Sequence, residues 1–309
     1  MTVNTMQKKK QKNPELARAT TADKLFYAIS TFILALFALI VLLPLINVVS
    51  SSISDGNLVS AGKVMLLPKK PTLMGYKTVF NYNGIWRAYG MTFFYTILGT
   101  TINLFMTMIC AYGMAQKNLP MKKPLMAMMV FTMFFGGGTI PSYIVVMKLG
   151  MLNTIWSIVI PGAMSVYNMI LARTFIMGIP EEMWEAASID GCTEFQYFAN
   201  VTIPLSGTII VVLMLYYGVG HWNSYFNAML YLDDYKLYPL QLILRRILIL
   251  NESSTESVTA TMDEKEAKMK LANIMRYALI IVASVPVLVM YPMAKKHFAK
   301  GVMLGSVKG

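Results

Sequence analysis

The sequence has few charged residues for its length, and this shortage restricts the class of protein. Only 14% of the 309 residues are Asp, Glu, Lys or Arg, whereas 56% are hydrophobic. A soluble domain carries roughly a quarter charged residues. The composition therefore excludes an ordinary soluble protein and is typical of a chain that lies mostly in a membrane.

Cysteine and histidine are also scarce, with two residues of each. Cys110 and Cys192 fall in segments predicted to lie in the membrane and in the cytoplasm, so the sequence predicts neither a disulfide framework nor a metal-ligand spacing. His221 and His297 lie in different elements and form no catalytic constellation. We expect this chain to bind no metal and no cofactor.

A phosphate-binding loop is missing as well. No G-x-x-x-x-G-K-[ST] string occurs, and Gly136-Gly137-Gly138 is followed by Thr and Ile rather than by a lysine in register. The sequence therefore predicts no phosphate-binding loop of this type in the chain, and we expect this chain not to be an enzyme. The net charge of +12 has no soluble domain on which to form a nucleic-acid-binding face, so it favours anchoring on anionic lipid.

Six stretches without a charged residue are long enough to cross a bilayer as helices, which takes about 20 residues. Backbone groups find no water in hydrocarbon, so helices are the expected structure. The predicted spans are Leu25–Val49, Ala88–Ala115, Pro124–Met147, Leu149–Ala172, Ile203–Leu232 and Tyr277–Ala294.

Two of these spans contain residues that interrupt helices. Gly136-Gly137-Gly138 and Pro141 lie in the third span, and Pro161-Gly162 lies in the fourth. Such breaks either allow close helix packing through small residues or belong to a transport pathway. The sequence leaves both interpretations open.

The cations around the first span predict its orientation. Six Lys and Arg residues precede Leu25, and the next cation along the chain is Lys63. Because cytoplasmic flanks are enriched in Lys and Arg, the N-terminus is predicted to be cytoplasmic. An even number of spans then places the C-terminus in the cytoplasm too.

The segment 173–204, between the fourth and fifth spans, is predicted to form two short cytoplasmic helices joined by a turn. Pro180 followed by two Glu residues is typical of a helix start. Asp190-Gly191 is typical of a helix end, where Gly adopts the left-handed conformation. Thr193 with Gln196 forms a capping-box pattern that begins the second helix.

This segment resembles the EAA loop of type I ABC importer permeases. The resemblance is carried by Glu185-Ala186-Ala187, Asp190-Gly191 and Ile203-Pro204 at this spacing. In that family the first helix of the loop docks in a cleft on a cytoplasmic ATPase. The resemblance implies that Glu185 contacts the ATPase, that Ala186 and Ala187 permit close approach, and that Gly191 makes the turn. The residues implied in ATPase coupling are Glu185, Ala186, Ala187, Asp190 and Gly191.

Two further strings resemble carbohydrate permeases. Trp222-Asn223-Ser-Tyr-Phe226 resembles a Trp-Asn-x-x-Phe string, and the C-terminus resembles the tail of the maltose-type second permease. The closest likeness is to Gram-positive permeases for complex oligosaccharides. In the maltose-type subunit the tail inserts between two ATPase subunits, and an unstructured Gly-rich end is the alternative. The implied tail contacts are Lys300, Gly301, Gly305 and Lys308.

A sugar pathway needs hydrogen-bonding groups and aromatic faces. Polar side chains inside a membrane are costly and normally face the bundle interior. Each of them could instead form an interhelical hydrogen bond. The candidates are Tyr167, Asn168, Tyr216, Tyr217, Trp222, Asn223 and Asn227.

The loop at 233–270, predicted to lie outside, contains an apolar stripe at helical spacing. The resemblance implies a contact with a substrate-binding protein, and a helix lying on the lipid surface is the alternative. The stripe consists of Leu240, Ile243, Leu244, Ile247 and Leu248.

The expected fold is an all-α membrane protein with six transmembrane helices and cytoplasmic coupling helices. A basic cytoplasmic tail (1–24) precedes the first transmembrane helix and an extracytoplasmic loop (25–87). The type I importer core (88–296) carries the coupling loop, and a cytoplasmic tail (297–309) follows it.

The resemblance implies a permease subunit that forms half of a translocation path for a sugar or oligosaccharide in a bacterial plasma membrane. The implied partners are a second homologous permease, two ATPases that bind ATP and Mg, an extracytoplasmic solute-binding protein and membrane lipid, with no nucleic acid. A permease for a non-sugar solute is one alternative. A secondary transporter is another, but it would need an internal repeat and buried ionisable residues, neither of which the spans show.

Overall fold

The computed structural model describes residues 20–82, 84–253 and 275–289, and for 248–253 it describes the backbone alone. Over these ranges the regular secondary structure is helical, with no strand, which confirms the all-α expectation. The basic tail before residue 20, the end of the sixth predicted span and the C-terminal tail lie outside the described residues. The predicted ATPase contacts of Lys300, Gly301, Gly305 and Lys308 therefore stay predictions.

Fifteen α-helices occur in the described residues, together with a π-helical turn at Phe198–Thr202 and a 3-10 turn at Tyr235–Leu237. They are α1 Thr21–Ser52, α2 Gly56–Ser60, α3 Met74–Phe80, α4 Ile85–Ala115, α5 Lys122–Phe134, α6 Thr139–Lys148, α7 Trp156–Val159, α8 Val166–Ile176, α9 Glu182–Ile189, α10 Glu194–Tyr197, α11 Ile203–Leu205, α12 Gly207–Trp222, α13 Phe226–Tyr231, α14 Leu240–Ser253 and α15 Met275–Val289.

The helices only partly match the six predicted spans. α1 and α4 are each long and apolar enough to cross a membrane alone. α5 with α6, and Glu194–Leu205 with α12, form apolar pairs bent by 112° and 78°. α8 and α15 are apolar but shorter. The described residues therefore contain two helices that are long and apolar enough to span a membrane, or up to four spans if each bent pair is one span, and six spans are not confirmed.

The breaks within the spans lie close to the predicted residues. α5 ends at Phe134 and α6 begins at Thr139, so the Gly136–Gly138 run forms the break between them. The fourth predicted span is interrupted between the end of α7 and the start of α8, and Pro161-Gly162 lies in this interruption. The break before α12 falls at Ser206, and Pro204 lies inside α11.

α1 stands apart from the rest of its own chain. It begins with a capping box in which Thr20 and Asp23 each bond the other's backbone N–H, and its 32 residues extend for about 48 Å. None of its residues before Ser50 is buried. Asn47 Nδ2 donates to the carbonyl oxygens of Val64 and Met65, so the helix is attached near its C-terminal end.

α4 is the central helix, and it packs against α8, α12 and α14. One apolar cluster surrounds its first half, including Ala88 and Tyr95, with residues of α14 and α15. A second cluster surrounds its last turns, including Met108 and Ala111, with residues of α8 and α12. Five buried polar residues at spacings of three and four follow one side of α4. This polar stripe consists of Thr92, Thr96, Thr100, Asn103 and Thr107.

α14 packs into the first cluster rather than onto lipid or a partner. Leu240, Ile243, Leu244 and Ile247 are each at most 6% exposed. The predicted lipid-surface helix is therefore wrong for these four side chains, and so is an apolar contact with a binding protein through them. Their apolar surface is already buried within the chain, which periodicity alone could not reveal.

Candidate functional site

The helical hairpin, residues 180–205, ends its first helix as the sequence predicts. Gly191 has φ of 76°, a left-handed conformation that is strained for any residue with a Cβ. The Gly191 N–H donates to Ser188 O at 3.1 Å, and the Cys192 N–H donates to Ala187 O at 3.0 Å. These bonds close the C-terminus of α9 and turn the chain toward α10.

The second helix of the hairpin begins with the predicted capping box. The Gln196 N–H donates to Thr193 Oγ1 at 3.3 Å, and the Thr193 N–H donates to Gln196 Oε1 at 2.9 Å. The rings of Trp184 and Tyr197 pack edge to face with centroids 4.9 Å apart, which joins the two helices.

Polar contacts attach the hairpin to the C-terminal end of α4. The Tyr112 hydroxyl donates to Glu194 Oε2, which ties α10 to the last turn of α4. Lys117, just beyond α4, forms an ion pair with Glu181 at the start of α9. Each helix of the hairpin is thus linked to the central helix.

The predicted coupling residues lie together on the hairpin and face outward. Glu185, Ala186, Asp190 and Gly191 are exposed, and Ala187 is half-buried. Within the described part of the chain, the Glu185 carboxylate forms no hydrogen bond or ion pair. Ile189 is 87% exposed and Phe195 is 76% exposed. Exposed apolar side chains beside free carboxylates are a surface suited to docking another protein.

A separate set of contacts crosses the interior at the polar stripe. Asn103, which is fully buried, donates from Nδ2 to the carbonyl oxygen of Gly162 in the break between α7 and α8. Its Oδ1 lies 2.6 Å from Nε2 of His221 on α12. A Cβ at Gly99 would lie 2.4 Å from the His221 ring, so glycine is needed for this close approach. Asn103 therefore connects α4 to α12 and to the break between α7 and α8.

Other members of the polar stripe differ in their bonding. Thr107 Oγ1 lies 2.7 Å from the Tyr217 hydroxyl, and the Leu240 N–H donates to Thr92 Oγ1 at 2.7 Å. The Oγ1 atoms of Thr96 and Thr100 are buried and have no hydrogen-bond partner among the described residues. Most of the stripe thus joins α4 to its neighbours.

The candidate pathway residues separate into buried and exposed groups. Trp222 is 1% exposed, and its Nε1 donates to Ala283 O at 2.9 Å. Tyr217 is 8% exposed and accepts a hydrogen bond from the Ser165 N–H at 3.1 Å. The interhelical interpretation is therefore favoured for Trp222 and Tyr217. Asn168 is also buried, Asn227 is half-buried, and Tyr167, Tyr216 and Asn223 are exposed.

Sequence reasoning missed the links made by Asn103 and by Tyr112. Asn103 carried a signal, since an amide in a charge-free span is costly unless it is bonded. Tyr112 and Glu194 carried none, because they lie 82 residues apart. In the described ranges, no three side chains of His, Cys, Asp or Glu come together as possible metal ligands.

Comparison with known proteins places this geometry among transport components. Residues 72–232 match the family described as binding-protein-dependent transport system inner membrane component. The matched range includes α4 and the whole helical hairpin. This match covers just over half of the chain.

Two relatives from Bacillus subtilis (strain 168) resemble nearly the whole chain. The polygalacturonan/rhamnogalacturonan transport system permease protein YtcP is 37% identical over 93% of this chain and 99% of its own length. Protein LplC is 35% identical over 94% of this chain and 97% of its own length.

A solved structure shows the same fold. It is a chain of a bacterial ABC transporter involved in the import of the acidic polysaccharide alginate. The two chains are 29% identical and superpose with a TM-score of 0.80, over 91% of this chain and 99% of the other.

Proposed function

Because this chain belongs to the family of binding-protein-dependent transport system inner membrane components, we propose that it is one permease subunit of an ATP-driven importer for a sugar or oligosaccharide. The outward-facing coupling residues of the helical hairpin carry this proposal. Their exposed surface is available to a binding partner. The contacts between the hairpin and α4 would transmit a movement of that partner to the membrane helices.

The proposed occupant is a cytoplasmic ATPase subunit. Glu185 is exposed, and within the described residues it is unpaired, so it is available to a cation on the partner. Ala186 and Ala187 are small enough to let the partner backbone approach. A movement of α9 would be transmitted to α4 through the Lys117–Glu181 ion pair. A movement of α10 would be transmitted to α4 through the hydrogen bond between Tyr112 and Glu194.

The complete importer would contain a second homologous permease, two such ATPases that bind ATP and Mg, and an extracytoplasmic solute-binding protein. This arrangement requires both termini and the helical hairpin to be cytoplasmic, as the charge distribution around α1 predicts. The family description supports the binding-protein partner, because it names transport that depends on one.

The substrate class rests on the relatives. YtcP is described as transporting polygalacturonan and rhamnogalacturonan, and the structural relative takes part in alginate import. We propose an oligosaccharide derived from such a polysaccharide as the solute. Tyr167, Tyr216 and Asn223 are the candidate pathway residues that remain exposed for contact with it.

The test is ATP-dependent uptake of a labelled oligosaccharide by proteoliposomes that contain the full importer. Glu185→Lys should lower uptake by about tenfold or more, because it places a cation where the partner is expected to supply one. Glu185→Asp, which keeps a carboxylate at the same exposed position, is the matched control.

Normal coupling of hydrolysis to uptake in Glu185→Lys would refute the docking role. Uptake by the purified chain without any ATPase would refute the importer assignment and favour a secondary transporter. Uptake of a non-sugar solute alone would leave the importer in place and overturn the substrate class.

A further inference from the structure

A groove lined by cations and apolar side chains lies between the start of α5 and the end of α8. Its volume is about 540 Å³. One set of lining residues is basic and the other set is apolar, and none is acidic. The basic groove is lined by Lys122, Lys123, Arg173, Met126, Ala127 and Val130.

Two of the cations are held in place by the chain itself. Lys122 Nζ donates to the carbonyl oxygens of Ala115 at 3.2 Å and of Gln116 at 2.7 Å. Arg173 Nε donates to Met114 O at 2.9 Å. Both side chains therefore contact the C-terminal end of α4, where the helix dipole favours positive charge. This anchoring preorganises two positive charges at one point.

These cations lack a carboxylate partner within the described part of the chain. The ion pair found there joins Lys117 to Glu181, which do not line the basic groove. Lys123 is exposed, and the described residues offer its side chain no hydrogen bond or ion pair. The bonds of Lys122 and Arg173 to carbonyl oxygens cap the C-terminal end of α4, but they neutralise neither positive charge. Lys123 takes no part in this capping.

The apolar residues continue from the cations along α5. Met126 and Val130 lie one and two turns beyond Lys122, so they share its side of the helix. Positions in this direction belong to the third predicted span, whereas Lys122 and Lys123 immediately precede it. The basic groove thus changes from charged to apolar in the direction that leads from the membrane surface into hydrocarbon.

We propose that the basic groove binds an anionic phospholipid, with its phosphate on Lys122, Lys123 and Arg173 and an acyl chain along Met126, Ala127 and Val130. A molecule with a negative head and an apolar tail matches both halves of the groove at once. A free phosphate or an acidic peptide would match the cations alone and leave the apolar half exposed. Clusters of cations beside transmembrane helices attract anionic lipids by the same electrostatics.

The experiment measures lipid retention by the full-length chain in detergent, using native mass spectrometry with dioleoyl phosphatidylglycerol and dioleoyl phosphatidylcholine. Phosphatidylglycerol should be retained and phosphatidylcholine should not. Lys123→Gln should lower phosphatidylglycerol retention by about fivefold. Lys148→Gln, which removes an exposed lysine at the end of α6, is the matched control and should leave retention unchanged.

Lys123 is the first choice because it makes no contact that folding requires, whereas Lys122 caps α4. Lys123→Glu should abolish retention while the helix content measured by circular dichroism stays the same. Equal retention of the two lipids would overturn the proposal, as would equal retention by Lys123→Gln and Lys148→Gln. Complete displacement of phosphatidylglycerol by inorganic phosphate would also overturn it, because the apolar half of the groove would then contribute nothing.

Discussion

The polar stripe of α4 and the helical hairpin both join α4 to other segments, but they do so in opposite environments. Asn103 makes its contacts with full burial, and removing it would leave His221 and Gly162 O without a partner inside the bundle. The hairpin contacts of Tyr112 and Lys117 lie at the surface, where water can replace them. A similar number of polar links thus joins α4 to its neighbours inside the bundle and to the hairpin at the surface, and the surface links are those that we propose transmit a movement.

The largest effect on stability is expected from removing the buried hydrogen bonds of Asn103. Asn103→Leu removes the acceptor of His221 and the donor to Gly162 O, and each group left unpaired costs about 1–3 kcal/mol. We expect the free energy of unfolding to fall by about 3 kcal/mol, measured by thermal unfolding of the full chain in detergent. Asn223→Leu, at an exposed site, is the control. Equal melting temperatures for the two variants would show that the buried links do not stabilise the bundle.

A smaller effect is expected from crowding the same contact without removing it. In Gly99→Ala the new Cβ would lie 2.4 Å from the His221 ring, so α4 and α12 must separate or the ring must move. Overpacking of this kind costs about 1–3 kcal/mol. Gly113→Ala on the same helix has open space at its Cβ and should stabilise slightly, because Ala is the better helix former. The melting temperatures of this pair measure how close the two helices are.

The smallest effect on stability is expected at the hairpin, together with a larger effect on transport. Tyr112→Phe removes the hydrogen bond to Glu194 but keeps the ring, so the free energy of unfolding should fall by about 1 kcal/mol or less. The number of solute molecules imported per ATP hydrolysed should fall by about fivefold, since a coupling energy of 1–3 kcal/mol is typical between linked sites.

Tyr27→Phe, at an exposed position on α1, is the control for that comparison. A transport ratio unchanged in Tyr112→Phe would mean that the contact with Glu194 only positions the hairpin. A loss of stability as large as that of Asn103→Leu would remove the distinction between the two regions.

The features that the sequence predicted correctly are those encoded within a few residues. The capping box of Thr193 and Gln196, the left-handed Gly191 and the break at Gly136–Gly138 each follow from local backbone chemistry. The family resemblance of the helical hairpin also depended on short strings, namely Glu185-Ala186-Ala187, Asp190-Gly191 and Ile203-Pro204.

The features that it missed depend on which segments come together. The partners of Asn103 lie 59 and 118 residues away, and the apolar stripe of α14 gave no indication of whether lipid or α4 would cover it. Composition also gave no indication of where the apolar segments bend.

The isolation of α1 has a consequence for how this chain should be studied. Because none of its residues before Ser50 is buried, α1 loses few contacts when the remaining helices come apart. Calorimetry on the purified chain will therefore measure the unfolding of the bundle and contain little signal from α1. Substitutions along α1 will look harmless in that assay, and their cost will show only where a neighbouring molecule packs against the helix.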